Sequence, residues 1–219
     1  TGLDSFVVNS SALTISNNIT TANGLIDINA PVTLGADVVI SSGTGTGNVE
    51  FGSTIAGTQN LDILSGSGAV TITDNIGVGG ALTSLDINAT GASTGTGNIN
   101  ILGNIGSDGT SGAGIVNIGN SSTGTITFGT SSTESEYFTT GAQTYDAATY
   151  SLVGTDPDFN ASSENIQFLD GANGITLATG SDLTVDTNSG EDGNITIAGA
   201  ITSTAGQTTT VTLEAGSGT

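Results

Sequence analysis

Carboxylates are the only strong acid or base groups this sequence offers, because its 219 residues include 20 Asp plus Glu and no Lys, Arg, His or Cys. Oxygen donors at alternate positions are the pattern a hard cation such as Ca2+ would use. It occurs twice. Asp156-Pro-Asp158-Phe-Asn160 offers three side-chain oxygens, with Glu164 as a fourth. Asp186-Thr-Asn188-Ser-Gly190-Glu-Asp192-Gly193 does the same, with glycines that permit a tight turn. The first lacks the loop glycine and the bidentate Glu of the twelve-residue calcium loop, and reads equally as an acidic turn begun by Pro157. The G-G-x-G-x-D nonapeptide of calcium-dependent β-rolls is absent from both. Ca2+ is therefore the one cofactor considered.

Most other chemistry is excluded by residue type. Without His there is no Ser-His-Asp relay, and without Lys neither a Schiff base nor a Lys-assisted serine, so no catalytic residue is assigned. A Walker-type phosphate loop needs its lysine, and nucleic-acid binding needs cations to displace counterions. The net charge of −20 opposes nucleic acid and anionic membrane surfaces alike. Missing Cys and Lys also remove disulfides and Lys–Asn isopeptide bonds, leaving non-covalent packing to hold the fold. No charged leader with an apolar core and no run of about 18 apolar residues is present, so neither signal peptide nor membrane insertion is expected here. The expectation is an internal segment of a longer exported protein.

The elements that must position these residues are very short strands of the form apolar-x-apolar, flanked by Gly, Asn, Ser, Thr or Asp. Leu13-Thr-Ile15, Val32-Thr-Leu34, Val49-Glu-Phe51, Leu61-Asp-Ile63, Val70-Thr-Ile72, Ile99-Asn-Ile101, Ile126-Thr-Phe128 and Ile195-Thr-Ile197 are examples. Period two puts one face inside and one outside. No stretch sustains helical spacing, and 35 glycines would each cost roughly 1 kcal/mol in a helix. Triads this short suit a solenoid, each coil contributing three strands that pair with the coils above and below.

Direct repetition supports that reading. Gly45-Thr-Gly-Asn-Val-Glu-Phe51 with Ile55 recurs as Gly95-Thr-Gly-Asn-Ile-Asn-Ile101 with Ile105, an offset fitting two coils of about 20 to 30 residues. Gly193-Asn-Ile-Thr-Ile197 with Ile201 keeps the spacing, and Val70, Ile72 and Ile76 keep its apolar part. The fold expected is an all-β parallel β-helix with coils over 1–130 and 166–219. Between 131 and 165 the triads become irregular and Tyr137, Phe138, Tyr145, Tyr150 and Phe159 collect. Two readings stay open there: a loop or insertion folded on the flank, or an altered coil whose larger side chains fill a wider cross-section.

Polar positions between inward residues include Thr14, Thr33, Thr71, Thr127, Thr176, Thr184, Thr196 and Thr212, a set that could form a threonine ladder. Ice-binding solenoids use such arrays, but Asp62, Asp86, Asn100 and Asn117 interrupt the register, favouring a solvated sheet face. Sequons at Asn9, Asn18, Asn88, Asn120, Asn160 and Asn194 are assigned no function, because Ser and Thr are frequent enough to produce several by chance.

Runs such as Asn18-Ile-Thr-Thr-Ala-Asn-Gly24, Ala30-Pro-Val-Thr-Leu-Gly-Ala-Asp37, Gly47-Asn-Val-Glu-Phe-Gly52, Thr140-Gly-Ala-Gln-Thr-Tyr145 and Gly193-Asn-Ile-Thr-Ile-Ala-Gly-Ala-Ile201 resemble the repeats of filamentous-haemagglutinin-like giant surface proteins. The likeness weakens after Tyr145 and recovers near Ile195. It implies a right-handed parallel β-helix, secretion across a Gram-negative outer membrane, and an extracellular adhesin, stalk or cell-surface filament. Its partners would be host or neighbouring cell surfaces, their glycans, or further copies in a fibre. The Asn-Pro-Asn-Gly-type signature of the two-partner secretion module does not occur, and total loss of Lys, Arg and His departs from the group.

The rival from another class is a polysaccharide-binding or polysaccharide-hydrolysing β-helix. Glycoside hydrolysis needs two carboxylates about 5 to 9.5 Å apart in a cleft. Lyases of this architecture generally use a basic residue, however, and sugar clefts favour Trp and Arg, none of which this chain has. Digestion checks the composition itself: trypsin is expected to leave even the denatured chain intact, and any specific tryptic fragment would refute the absence of Lys and Arg.

Overall fold

The computed structural model describes residues 2–89, 95–106, 110–130, 134–162, 164–187, 193–204 and 208–216. Strands are the regular elements there, they pair in parallel, and they stack as a β-solenoid of about eight turns. Each triad is too short to bury its apolar pair alone. It does so by lying over the triad of the previous coil, which also satisfies its backbone N–H and C=O groups.

Three faces result, visited in a fixed order. The first stacks Phe6–Val8, Ile26–Ile28, Val49–Phe51, Val70–Ile72, Ile99–Ile101, Thr125–Phe128, the ends of Gln143–Leu152 and Ile166–Leu177, and Ile201–Ser203. The second stacks Leu13–Ile15, Val32–Leu34, Ile55–Ala56, the single rungs Ile76 and Ile105, then Glu134–Thr139, Thr155–Ala161, Leu183–Asp186 and Val211–Glu214. The third stacks Ile19–Thr20, Val38–Ser41, Asn60–Leu64, Leu82–Ile87, Ala113–Gly119, the starts of Gln143–Leu152 and Ile166–Leu177, and Ile195–Ile197.

The repeated motif has a mechanical meaning at the corner leading into the first face. Gly47, Gly68 and Gly97 stack there, and a Cβ on Gly68 would lie 2.0 Å from the Gly47 carbonyl oxygen, one on Gly97 1.9 Å from that of Gly68. Only glycine lets the coils approach so closely. Asn48 and Asn98 then turn their Oδ1 to the next coil, accepting from Ala69 N at 3.0 Å and Thr125 N at 3.2 Å. Val49–Phe51, Val70–Ile72 and Ile99–Ile101 do lie on one face, two turns separating the first and last. The copy at Gly193 does not share it: Ile195–Ile197 stands on the third face and Ile201 on the first.

The interior is a ladder of Val, Ile and Leu, with Phe51, through the early coils, each fully buried side chain worth about 1.5 to 3 kcal/mol. Its upper part is aromatic. Phe128, Tyr137, Tyr145, Tyr150, Phe159 and Phe168 are all fully buried, with neighbouring ring centroids 4.6 to 5.6 Å apart. A flank insertion is therefore not what these residues form. Glu134–Thr139 and Thr155–Ala161 are rungs of the second face, and the rings fill an altered coil from within. Two of the three buried tyrosine hydroxyls find hydrogen-bond partners locally: Tyr145 OH donates to Gln143 Oε1 at 3.0 Å, and Tyr150 OH contacts the carbonyls of Tyr145 and Leu169.

A buried polar column closes the corner after the third face, a feature the apolar pattern did not disclose. Thr21, Ser42 and Ser65 donate their hydroxyls to Gly24 O, Gly47 O and Gly68 O at 2.6 to 2.8 Å. Asn88, fully buried with φ +52, takes the next place, accepting from Ser65 N at 2.9 Å and donating to Ser65 Oγ at 3.0 Å.

Phe128 touches three other rings, so Phe128→Ala is expected to cost about 3 to 5 kcal/mol in urea unfolding, against less than about 0.5 for Thr127→Ala on the outer side. Equal costs would place Phe128 outside the core.

Candidate functional site

Asp156, Asp158 and Asn160 lie on the strand Thr155–Ala161, not in a turn. Pro157 points inward and is buried, and it occupies the irregularity where the register against Glu134–Glu136 shifts by one residue. A bulge spares the ladder the N–H that proline lacks. Asp158 and Asn160 share the outer side of that strand, while Asp156, at φ +44 in the bulge, falls outside its simple alternation. Asp156 is already engaged, its Oδ1 accepting from Asp182 N at 2.9 Å. Glu164 is exposed at a different corner.

The second candidate divides. Asp186 ends the strand Leu183–Asp186 and accepts from Asn160 Nδ2 at 3.3 Å, whereas Asn188 and Asp192 lie outside the described residues. Among the described residues no group of three or more carboxylates is placed to hold a metal ion.

Stacking instead joins acids from separate coils. On the second face Glu136 sits in register with Asp158, and Asp186 with Glu214. Asp158 is half-buried and its Oδ1 has no hydrogen-bond donor. Burial first, then the charges of Asp186, Glu136, Glu134 and Glu214, push its carboxyl up to about 6. A second pair forms where Gln143–Leu152 and Ile166–Leu177 bend from the third face to the first: burial, then Asp170, pushes Asp146 up. Sequence reasoning named Asp158 and Asp186 separately but could not join them, because coils of unequal length hide which residues become neighbours. Glu136, Glu214, Asp146 and Asp170 were not singled out, and no local spacing marks them.

Glu136, Asp158, Asp186 and Glu214 stand on the outer side of the second face. Of the shallow concavities along the corner between the first and second faces, one of about 320 Å3 includes Glu134 beside Thr73, Asn75, Asn104 and Thr130. Two others, of about 250 and 330 Å3, are lined by Val153, Gly154, Ala178, Thr179 and their neighbours and contain no carboxylate.

The outward positions sort differently from the sequence expectation. Asp62, Asp86 and Asn117 occupy the third face and do not interrupt the threonines of the first. Thr71, Asn100, Thr127, Ser151, Thr176 and Thr202 follow one another rung by rung on that first face, an uncharged column on a chain of net charge −20. Asn100 is the one interruption that shares it, and its amide donates to Thr71 Oγ1 at 3.2 Å. Of the sequons, Asn88 is buried and closed to any modifying enzyme.

No protein-family model matches the chain, and comparisons with curated proteins and with solved structures find no match either.

Since Asp158 titrates near 6 when folded and near 3.9 when unfolded, the native state holds the extra proton between those values. Stability should fall as pH rises through that window, the whole penalty being present above about pH 6. Asp158→Asn is expected to stabilise by on the order of 1 kcal/mol at pH 8, the half-exposed carboxylate being partly screened by solvent, and by little at pH 3.5. Urea unfolding at both values checks this; equal stabilities at pH 8 would mean that the carboxylate is well solvated.

Proposed function

We propose that this chain is a non-catalytic structural segment of a bacterial extracellular protein, a stalk or adhesin rod of the filamentous-haemagglutinin-like kind, secreted or held at the cell surface. The uninterrupted inward ladder carries the reading. A core that runs along an axis, renewed by each coil, makes a stiff spacer whose length scales with the number of repeats. At roughly 4.8 Å per rung, eight turns span about 40 Å. Resemblance of the Gly-Asn-apolar repeats to giant surface proteins supports the location, and freedom from Lys and Arg suits exposure to trypsin-like proteases.

Contact with a surface or glycan would fall on the uncharged run of the first face from Thr71 to Thr202, where an approaching partner meets hydroxyls and amides, the carboxylates of Asp27 and Glu50 standing on the earlier rungs. The polysaccharide-hydrolase alternative rests on Asp146 and Asp170, two carboxylates at one corner with Asp146 raised toward general-acid behaviour. Against it stands their position on an outer corner, and the absence of Trp and Arg for gripping a sugar.

Two assays decide between these. Incubation with a panel of polysaccharides is expected to release no new reducing ends, and turnover abolished by Asp146→Asn would replace the structural reading with the enzymatic one. Binding to bacterial or host cells and to glycan arrays is expected to drop at least tenfold in Thr127→Asp/Thr176→Asp; binding by the wild type that this variant leaves unchanged would move the contact off the first face.

A further inference from the structure

Among the described residues the non-glycine positions at positive φ are Asn23, Asn88, Asp156 and Asp170, and of these Asp156 alone precedes a proline. Asn and Asp enter that region at modest cost. Ahead of proline the cost rises, because the ring Cδ crowds the preceding N–H and Cβ and drives that residue toward extended backbone. Asp156 is nevertheless held at φ +44, and the next coil clamps it there. Its N–H donates to Ser181 Oγ at 2.9 Å, its Oδ1 accepts from Asp182 N at 2.9 Å, and Ser181 Oγ donates in turn to Gly154 O at 2.9 Å. On the other side of the peptide bond Pro157 is buried in the bulge, opposite Ser135. Strain is thus fixed around one bond, and breaking that bond releases it. Uncompensated charge collects at the same place. Glu134 and Glu136 flank the bulge from the previous coil, Asp182 from the next, Asp158 follows the proline, and Asp186 and Glu214 stand further along the face.

We propose that the chain cuts itself between Asp156 and Pro157, the one Asp–Pro bond in the sequence, with the Asp156 side-chain carboxylate as nucleophile and water as the second reactant. The carboxylate is tethered to the carbonyl it attacks, so no encounter is needed. Its Oδ2 adds to the main-chain carbonyl carbon of Asp156, a five-membered cyclic anhydride forms, and the C–N bond breaks as the proline nitrogen takes a proton. Water then opens the anhydride, leaving Asp156 with two carboxylates and Pro157 as a new amino terminus that takes a second proton. Asp158 is the proton source: burial first, then the charges of Asp186, Glu136, Glu134 and Glu214, push its carboxyl up to about 6, so it still carries a proton in weak acid. The product is favoured as well, because the Pro157 ammonium places a cation among Asp158, Glu134 and Glu136 in a chain that has no Lys, Arg or His. Asp156 itself is exposed, which admits the water. The two pieces stay joined in the native solenoid, since Thr155 remains paired with Glu134 and Asp158 with Glu136 and Thr184.

Intact-mass spectrometry of the purified 219-residue chain under denaturing conditions, after incubation at pH 5 and at pH 8, reads the reaction directly. Fragments 1–156 and 157–219 are expected, their masses summing to the parent plus one water, and forming about tenfold or more faster at pH 5 than at pH 8. Release of the strain is expected to make the folded chain cut roughly ten- to a hundredfold faster than the same chain in urea at the same pH. Asp156→Ala, which lacks the nucleophile, should stay whole. Pro157→Ala, which keeps the nucleophile and removes the crowding, should cut at least about tenfold more slowly. Asp158→Asn should lose the difference between pH 5 and pH 8. A wild type that stays intact at pH 5 would overturn the proposal, as would equal rates in urea and in the folded state, which would assign the cut to the dipeptide and not to the fold. Fragments of the same masses from Asp156→Ala would do so too, because they would come from a contaminating protease.

Discussion

Register between successive coils is the constraint on which everything else in this molecule depends. A slip of one residue would turn each inward apolar pair outward and each outward acid inward, so a coil is usable only if its triads arrive in phase. The coils nevertheless differ in length, as the first-face pairings of Phe6 with Ile26, Val49 with Val70 and Val70 with Ile99 show. Corners absorb the difference. There the stacked glycines permit backbone contact, the asparagine amides catch the N–H of the following coil, and the buried column of Thr21, Ser42, Ser65 and Asn88 ties the turn to itself.

Electrostatics then has to be managed without a counter-charge. Like charges stand on adjacent rungs in several places, Asp27 beside Glu50 and Asp62 beside Asp86. Amides do part of what cations do elsewhere: Asn29 donates to Asp27 at 2.8 Å, Asn117 to Asp86 at 2.8 Å, and Asn60 to Asp37 at 3.0 Å. Water and salt screen the rest, which is tolerable because these groups lie on outer faces. Asp158 is the place where that arrangement falls short, half-covered and ringed by four other acids.

The fold was legible because period two and a 20-to-30-residue repeat are both local signals. Parallel pairing, three strands per coil and the two-turn offset between Val49 and Ile99 follow from them. What failed was anything that required knowing which face a triad occupies. The Gly193 motif copies the spacing of its relatives yet lies one face away, and Asp62 was held against Thr71 although they point in different directions. The aromatic segment looked irregular because Gln143–Leu152 runs through its corner and serves two faces without any glycine or asparagine, whereas Ile166–Leu177, which also serves two faces, keeps Asp170-Gly-Ala-Asn-Gly174 at its corner. The alternation of Asp156, Asp158 and Asn160 belongs to a strand, where alternation is the default, and so is by itself no mark of a calcium loop.

The aromatic block has an optical consequence. With no Trp in the chain, near-ultraviolet absorption and intrinsic emission come chiefly from Tyr137, Tyr145 and Tyr150, all buried in neighbouring coils of the upper half. A repeat array melts coil by coil when its neighbours couple weakly. Tyrosine emission therefore watches one stretch of the column, while peptide-bond absorption watches the whole, and the gap between the two melting curves is a direct gauge of how far each coil feels its neighbours.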